Sequence, residues 1–176
     1  MINMQKNIVY LIGFMASGKS TLGKKMAHSL GLTRIDLDEV IETKTALPIK
    51  NIFAFWGEDK FRNIESECLK ELDTKEGMVV SCGGGTACFH DNMIWMKNRG
   101  ITVFIDLPLL HIISRLILNP KKRPLLVEKT EDEIKIFVEE LYQKRIPFYQ
   151  MSQLKFNPME DDYEEFIQKI KLLISN

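Results

Sequence analysis

Apolar residues fall along this chain in two alternating rhythms. Asn7 to Ile12 is a β-branched apolar run that stops at Gly13, after which Leu22, Met26 and Leu30 recur at four-residue spacing. The first rhythm predicts a buried strand, the second an amphipathic helix, and the stretch between them a loop. A weaker strand is predicted at Thr33 to Asp36 after Gly31, and the pattern then turns helical through Val40 and Ile41. Ile49 to Trp56 and Asp59 to Leu72 predict two further helices, parted near Gly57. Short apolar strands follow at Met78 to Ser81, closed by Gly83-Gly84-Gly85, and at Ile101 to Ile105, closed by Asp106-Leu107-Pro108. Helices are expected after each, around Asn92 to Asn98 and Leu109 to Leu118.

Residues 119–130 carry two prolines and the cluster Lys121-Lys122-Arg123, which interrupts the helical pattern and predicts a mobile surface loop. A long helix is expected from Glu131 to about Arg145 and a last strand at Gln153 to Phe156. Tyr163 to Ile174 predicts a final helix, with Phe166, Ile167, Ile170 and Ile174 on one face. Strands alternating with helices imply an α/β fold whose parallel sheet is covered on both faces and binds ligands beyond the carboxyl ends of its strands. A chain of 176 residues suits one domain, residues 1–176, better than two.

Composition narrows the partners. Lys+Arg and Asp+Glu balance at 24 each, so no global field draws the chain to nucleic acid or to an anionic membrane, and any anion site must be local. Cys68, Cys82 and Cys88 are odd in number and form neither a C-x-x-C nor a zinc pattern, which points to a reducing cytoplasm. The apolar stretch from Ile8 to Ala16 is too short to span a bilayer and runs straight into Gly18-Lys19-Ser20, so it reads as a strand and not as a leader.

That junction carries the strongest chemistry. Gly13-Phe14-Met15-Ala16-Ser17-Gly18-Lys19-Ser20 matches G-x-x-x-x-G-K-[ST] between a predicted strand and a predicted helix. Backbone N–H groups of such a loop turn inward around phosphate oxygens, with the helix start adding its positive end. Lys19 can bridge the β- and γ-phosphates and the Ser20 hydroxyl can ligate Mg²⁺. The motif predicts nucleotide binding without separating a kinase from other NTPases.

The acceptor side must decide between them. Asp36 and Asp38, two apart where the second strand ends, would point the same way in extended geometry, one toward a metal and one toward a substrate hydroxyl. The strand ending Ser81-Cys82 has no acid, which makes Asp36 the natural metal-positioning carboxylate; both acids also suit a helix start. Arg62, with Glu58 four residues before it and Glu65 three after, taken alone reads as a solvated ion-pair face, with an anion anchor as the alternative. Arg123 and Arg145 fall on segments near the same edge, and three arginines favour a carboxylate acceptor. Gly83, Gly84 and Gly85 present bare backbone to a ligand or form a tight turn, and Phe53 and Phe61 suit the core or a pocket wall.

Taken in order, GFMASGKS, DLDE, IFAFWGEDKFRNIE, GGG, KKRPLL and KRIPFY resemble the shikimate kinase family, over about Ile8 to Tyr149. The resemblance implies a three-layer α/β/α P-loop fold of the nucleoside monophosphate kinase type. Its sheet has five parallel strands, with a substrate-binding helical segment at about 37–72 and a lid at about 119–130. It implies ATP as co-substrate, held by Gly13, Ala16, Ser17, Gly18, Lys19, Ser20 and Thr21, with Arg115 near adenine and Arg123 reaching the phosphates from the lid. Mg²⁺ would be served by Ser20 and Asp36. Shikimate would be bound by Asp38, Phe61, Arg62, Gly83, Gly84, Gly85 and Arg145, with Lys19, Asp38 and Arg123 catalytic. The implied reaction is phosphorylation of the shikimate 3-hydroxyl, a step toward chorismate and the aromatic amino acids, by a cytoplasmic monomer. Ala16, Ala46 and Cys82 depart from the family's usual residues without removing a charge. A gluconate or nucleoside monophosphate kinase, or an inactive nucleotide-binding module, are the competing readings.

Overall fold

The computed structural model describes residues 7–72, 77–119, 126 and 129–175. β1 (Ile8–Ile12) is buried along its whole length, as a continuous apolar run in a doubly covered sheet must be. Parallel to it lie β2 (Thr33–Asp36), β3 (Met78–Ser81), β4 (Ile101–Ile105) and β5 (Leu154–Phe156), in the spatial order β2-β3-β1-β4-β5. Ser81 is in register with Leu11 on one side and Asp36 on the other, so three neighbouring strands end at one level.

Alternate side chains of β1 enter different cores. Val9 and Leu11 pack with Met26 and Ala27 of α1 (Lys19–Leu30) and with Phe166, Ile167 and Ile170 of α7 (Tyr163–Ser175). Ile8, Tyr10 and Ile12 face the larger core, built from five helices. These are α2 (Leu37–Thr45), α3 (Ile49–Glu71), α4 (Asn92–Arg99), α5 (Leu109–Leu118) and α6 (Glu131–Tyr149). The result is the expected three-layer α/β/α arrangement with a five-stranded parallel sheet. No described helix is long and apolar enough to cross a membrane.

The predicted break near Gly57 is present: its φ of 77° and ψ of 176° divide α3 into two helical pieces. Three features differ from the sequence reading. Asp38 lies in the first turn of α2 and not on an extended strand, because the strand stops at Asp36. α6 continues four residues past Arg145 and through Pro147, whose ring ordinarily ends a helix at a cost of about 3 kcal/mol. Burial of Tyr149, stacked on Phe104 at 5.3 Å, holds that last turn in place. Leu126, within the segment read as a surface loop, is fully buried in the larger core. The start of α6 at Glu131 is fixed by a capping box between Thr130 and Glu133, a sequence signal in its own right.

Candidate active site

Residues 13–18 connect β1 to α1. Gly18, with φ 96°, is the N-cap of α1 and offers no side-chain cap, so the first-turn N–H groups are left to another acceptor. Gly18, Lys19, Ser20 and Thr21 line a cleft of about 360 Å³ together with Met15 and Ala16. Gly13 and Ser17 do not line it, and Ser17 is buried. The Lys19 ammonium donates to the carbonyls of Gly13 (2.9 Å) and Phe14 (2.7 Å) and lies 3.5 Å from Ser17 Oγ. Arg115, in the last turn of α5, donates from Nη1 to the Ala16 carbonyl at 3.0 Å and lines the same cleft.

Ala16 adopts φ 61°, in the left-handed region where a β-carbon costs about 1–2 kcal/mol. Glycine there relieves that strain and gives back about 0.4–1 kcal/mol through the unfolded chain. The expected result for Ala16→Gly is a net stabilisation of roughly 0.5 kcal/mol by denaturant titration; a loss instead would mean that the backbone is unstrained.

The far wall of the cleft comes from the carboxyl ends of β2 and β3. Asp36 Oδ1 accepts the Asp38 N–H at 3.2 Å, capping α2, while its Oδ2 takes Arg34 Nη2 at 3.3 Å. Asp36, Asp38, Cys82, Gly83 and Gly84 line the same cleft as residues 15–16 and 18–21. Burial pushes the Cys82 thiol well above the usual range, and the negative charges of Glu65, Asp38 and Asp36 add to it while Lys19 opposes them.

A second cavity of about 430 Å³ adjoins the first, and Met15, Asp38, Gly83 and Gly84 line both. Its walls include Arg62, Arg145, Phe53 and Phe61, the two rings lying 4.4 Å apart. Arg62 is only 7% exposed; its Nη1 donates to Glu65 at 2.8 Å and its Nε and Nη2 to Glu58 at 3.1 and 2.9 Å. Burial opposes its charge, yet Glu65 and Glu58 outweigh that and raise its pKa. Glu65 is wholly buried, so the Arg62–Glu65 pair is not the solvated face that the spacing alone allowed. Arg145 is equally buried and donates from Nη1 to the Gly84 carbonyl at 3.1 Å, which the Tyr149 hydroxyl also engages.

The glycine triplet is tied to these groups by close approach. A β-carbon on Gly83 would lie 2.6 Å from Glu65 Oε1, on Gly84 3.0 Å from the Met15 nitrogen, and on Gly85 2.6 Å from Arg62 Nη2. The turn reading is seen directly, with the Thr86 N–H donating to the Gly83 carbonyl at 3.3 Å, and at all three positions a side chain would meet a neighbouring group. Met15, Glu58, Glu65 and Phe89 complete the surroundings of the charged groups without having been singled out as site residues. Only the acids left a trace, in their spacing from Arg62. Arg123 lies outside the described residues.

The geometry invites comparison with known proteins. A family model described as shikimate kinase matches residues 15–174. The chain belongs to the shikimate kinase family. Curated shikimate kinases of Phocaeicola vulgatus (41% identity, 91% of each chain covered) and Aquifex aeolicus (40% identity, 93% of this chain and 94% of the relative) are similar to it over nearly their whole lengths. Among solved structures, shikimate kinase from Bacteroides thetaiotaomicron superposes with a TM-score of 0.84 at 36% identity, covering 96% of this chain and 98% of that one. The Acinetobacter baumannii enzyme, solved in complex with shikimate, gives 0.82 at 32% identity over 96% and 93%. The P-loop kinase architecture expected from the sequence is thus that of the family.

Proposed function

We propose that this chain transfers the γ-phosphoryl group of ATP to the 3-hydroxyl of shikimate, giving shikimate 3-phosphate on the route to chorismate. One observation carries the reading: the phosphate-loop cleft and the arginine-lined cavity are adjacent, with Asp38, Gly83 and Gly84 lining both. A triphosphate in the first and a carboxylic acid in the second would meet at those shared residues. Arg62 and Arg145 hold the carboxylate by charge-assisted hydrogen bonds, and Phe53 and Phe61 give the ring an apolar wall. The backbone of Gly83, Gly84 and Gly85 completes the pocket.

Lys19 exchanges its loop carbonyls for phosphate oxygens and, with the first-turn N–H groups of α1, concentrates positive charge at the β- and γ-phosphates. The Ser20 hydroxyl, Thr21 and the loop backbone from Gly13 to Gly18 hold the triphosphate, and Arg115 closes the nucleotide side. Asp38 orients the acceptor hydroxyl and takes its proton as the new O–P bond forms and the bond from the γ-phosphorus to the β–γ bridging oxygen breaks, releasing ADP. Asp38 lines both cavities, as that role requires.

Among the described residues no group of three or more His, Cys, Asp and Glu side chains is arranged to hold a metal. Ser20 and Asp36, on one cleft, nevertheless supply hard oxygen donors of the kind Mg²⁺ takes alongside phosphate and water. Bound there, the ion would supply neutralising charge to the phosphates. We further propose a cytoplasmic monomer; its three cysteines are free thiols, which suits a reducing compartment. Residues 37–72 would form the acceptor segment; the lid expected at 119–130 falls largely outside the described residues, as does Arg123.

The test is ADP release measured with shikimate, gluconate and nucleoside monophosphates in turn. Turnover is expected with shikimate alone. Faster turnover with gluconate or a nucleotide would reassign the acceptor, and nucleotide binding without product from any acceptor would favour a binding module.

A further inference from the structure

The acceptor arginine is the visible end of a buried polar chain. Glu65 bridges two donors, taking Arg62 Nη1 on Oε2 at 2.8 Å and the Thr86 hydroxyl on Oε1 at 2.6 Å. The Thr86 carbonyl accepts from Asn92 Nδ2 at 3.0 Å, and Asn92 Oδ1 accepts from the Ser66 hydroxyl at 2.7 Å. All five side chains are buried, with Glu65, Thr86 and Asn92 fully so. Three separate pieces of the fold are joined in this way: α3, the 3₁₀ turn Thr86–Cys88, and the first residue of α4.

Packing alone would not need such a chain: apolar residues of similar size at 65, 86 and 92 together would fill the space without the desolvation cost of a buried carboxylate and its partners. The same turn also confines the guanidinium from other directions. Gly85 leaves no room between its backbone and Arg62, and the Phe89 ring lies 4.6 Å from Arg62 Cζ. With Arg62 bound to Glu58, which is half exposed, and to Glu65, which is not, the buried carboxylate is the fixed reference for the fork.

We infer that Thr86, backed by Asn92 and Ser66, is a positioning residue for the acid substrate: it locks the Glu65 carboxylate, and through it the orientation of Arg62 in the acceptor cavity. This rests on the acceptor reading given above. Losing the lock lets the fork turn, which weakens a bidentate contact without touching the nucleotide side.

The experiment measures KM for shikimate and for ATP in Thr86→Val, Thr86→Ser, Arg62→Lys and the Thr86→Val/Arg62→Lys double variant. Thr86→Val should raise the shikimate KM about tenfold with the ATP KM within about twofold, and Thr86→Ser, which keeps the hydroxyl, should restore it. A merely structural loss reduces active enzyme, and so kcat, while leaving the shikimate KM in place. In the double variant the Thr86 effect should vanish, because the fork it aims is gone. An unchanged shikimate KM in Thr86→Val, or additive effects in the double variant, overturns the inference. If Arg62→Lys itself leaves the shikimate KM unchanged, the acceptor reading has failed, and the inference falls with it.

Discussion

Asp38→Asn should lower kcat by about 10²–10⁴ while ATP binds as before, because the carboxamide can orient a hydroxyl but cannot take its proton. Asp38 lines both cavities, and a β-carbon on Gly83 would stand 3.5 Å from its Oδ1. The substitution is nearly isosteric. Losing a negative charge from the first turn of α2 costs stability by about 0.3–1 kcal/mol, far less than the kinetic effect. Single-turnover kinetics and ATP titration calorimetry separate the two quantities. Wild-type turnover in the variant would remove Asp38 from the chemistry.

Arg62→Ala should produce the second large effect, and it has two parts. The lost charge-assisted contact is worth about 1.5–3 kcal/mol, which raises the shikimate KM roughly ten- to a hundredfold with ATP saturating. The stability part follows from Glu65, whose carboxylate has no exposure and would keep only its neutral donor, Thr86. Breaking a buried pair by removing one partner costs about 3–5 kcal/mol. At roughly 2–4 °C per kcal/mol for a domain of this size, the thermal midpoint should fall by about 10 °C. Calorimetry with and without shikimate reads both parts. An unmoved KM in folded enzyme would place the acceptor pocket elsewhere, and an unmoved midpoint would mean that Glu65 finds water.

Much of this site was legible in the chain because its signals are local. The run from Gly13 to Ser20 needs only its own sequence and its neighbours to read as a phosphate loop, and the loop stands where the run predicts. Arg62 was ambiguous for a physical reason: Glu58 and Glu65 at helical spacing suit either a solvated face or a buried anchor, and spacing carries no information on depth. Phe89 gave no signal, since its contact with Arg62 arises from how the chain turns after Gly85. The end of α6 was misplaced because Pro147 argues locally for a stop, whereas the turn beyond it is held by Tyr149 against Phe104 and Gly84.

The linear sequence by itself determined the succession of strands and helices, the phosphate loop, and the two acids at the end of the second strand, because each is written in the periodicity or spacing of adjacent residues. Tertiary structure alone decided that β3 lies between β1 and β2, that Arg62 and Arg145 converge on the Gly83–Gly85 turn, and that the Arg62–Glu65 pair is buried. Those outcomes depend on contacts between residues far apart in the chain, such as Arg145 with Gly84, whose energies no local pattern encodes.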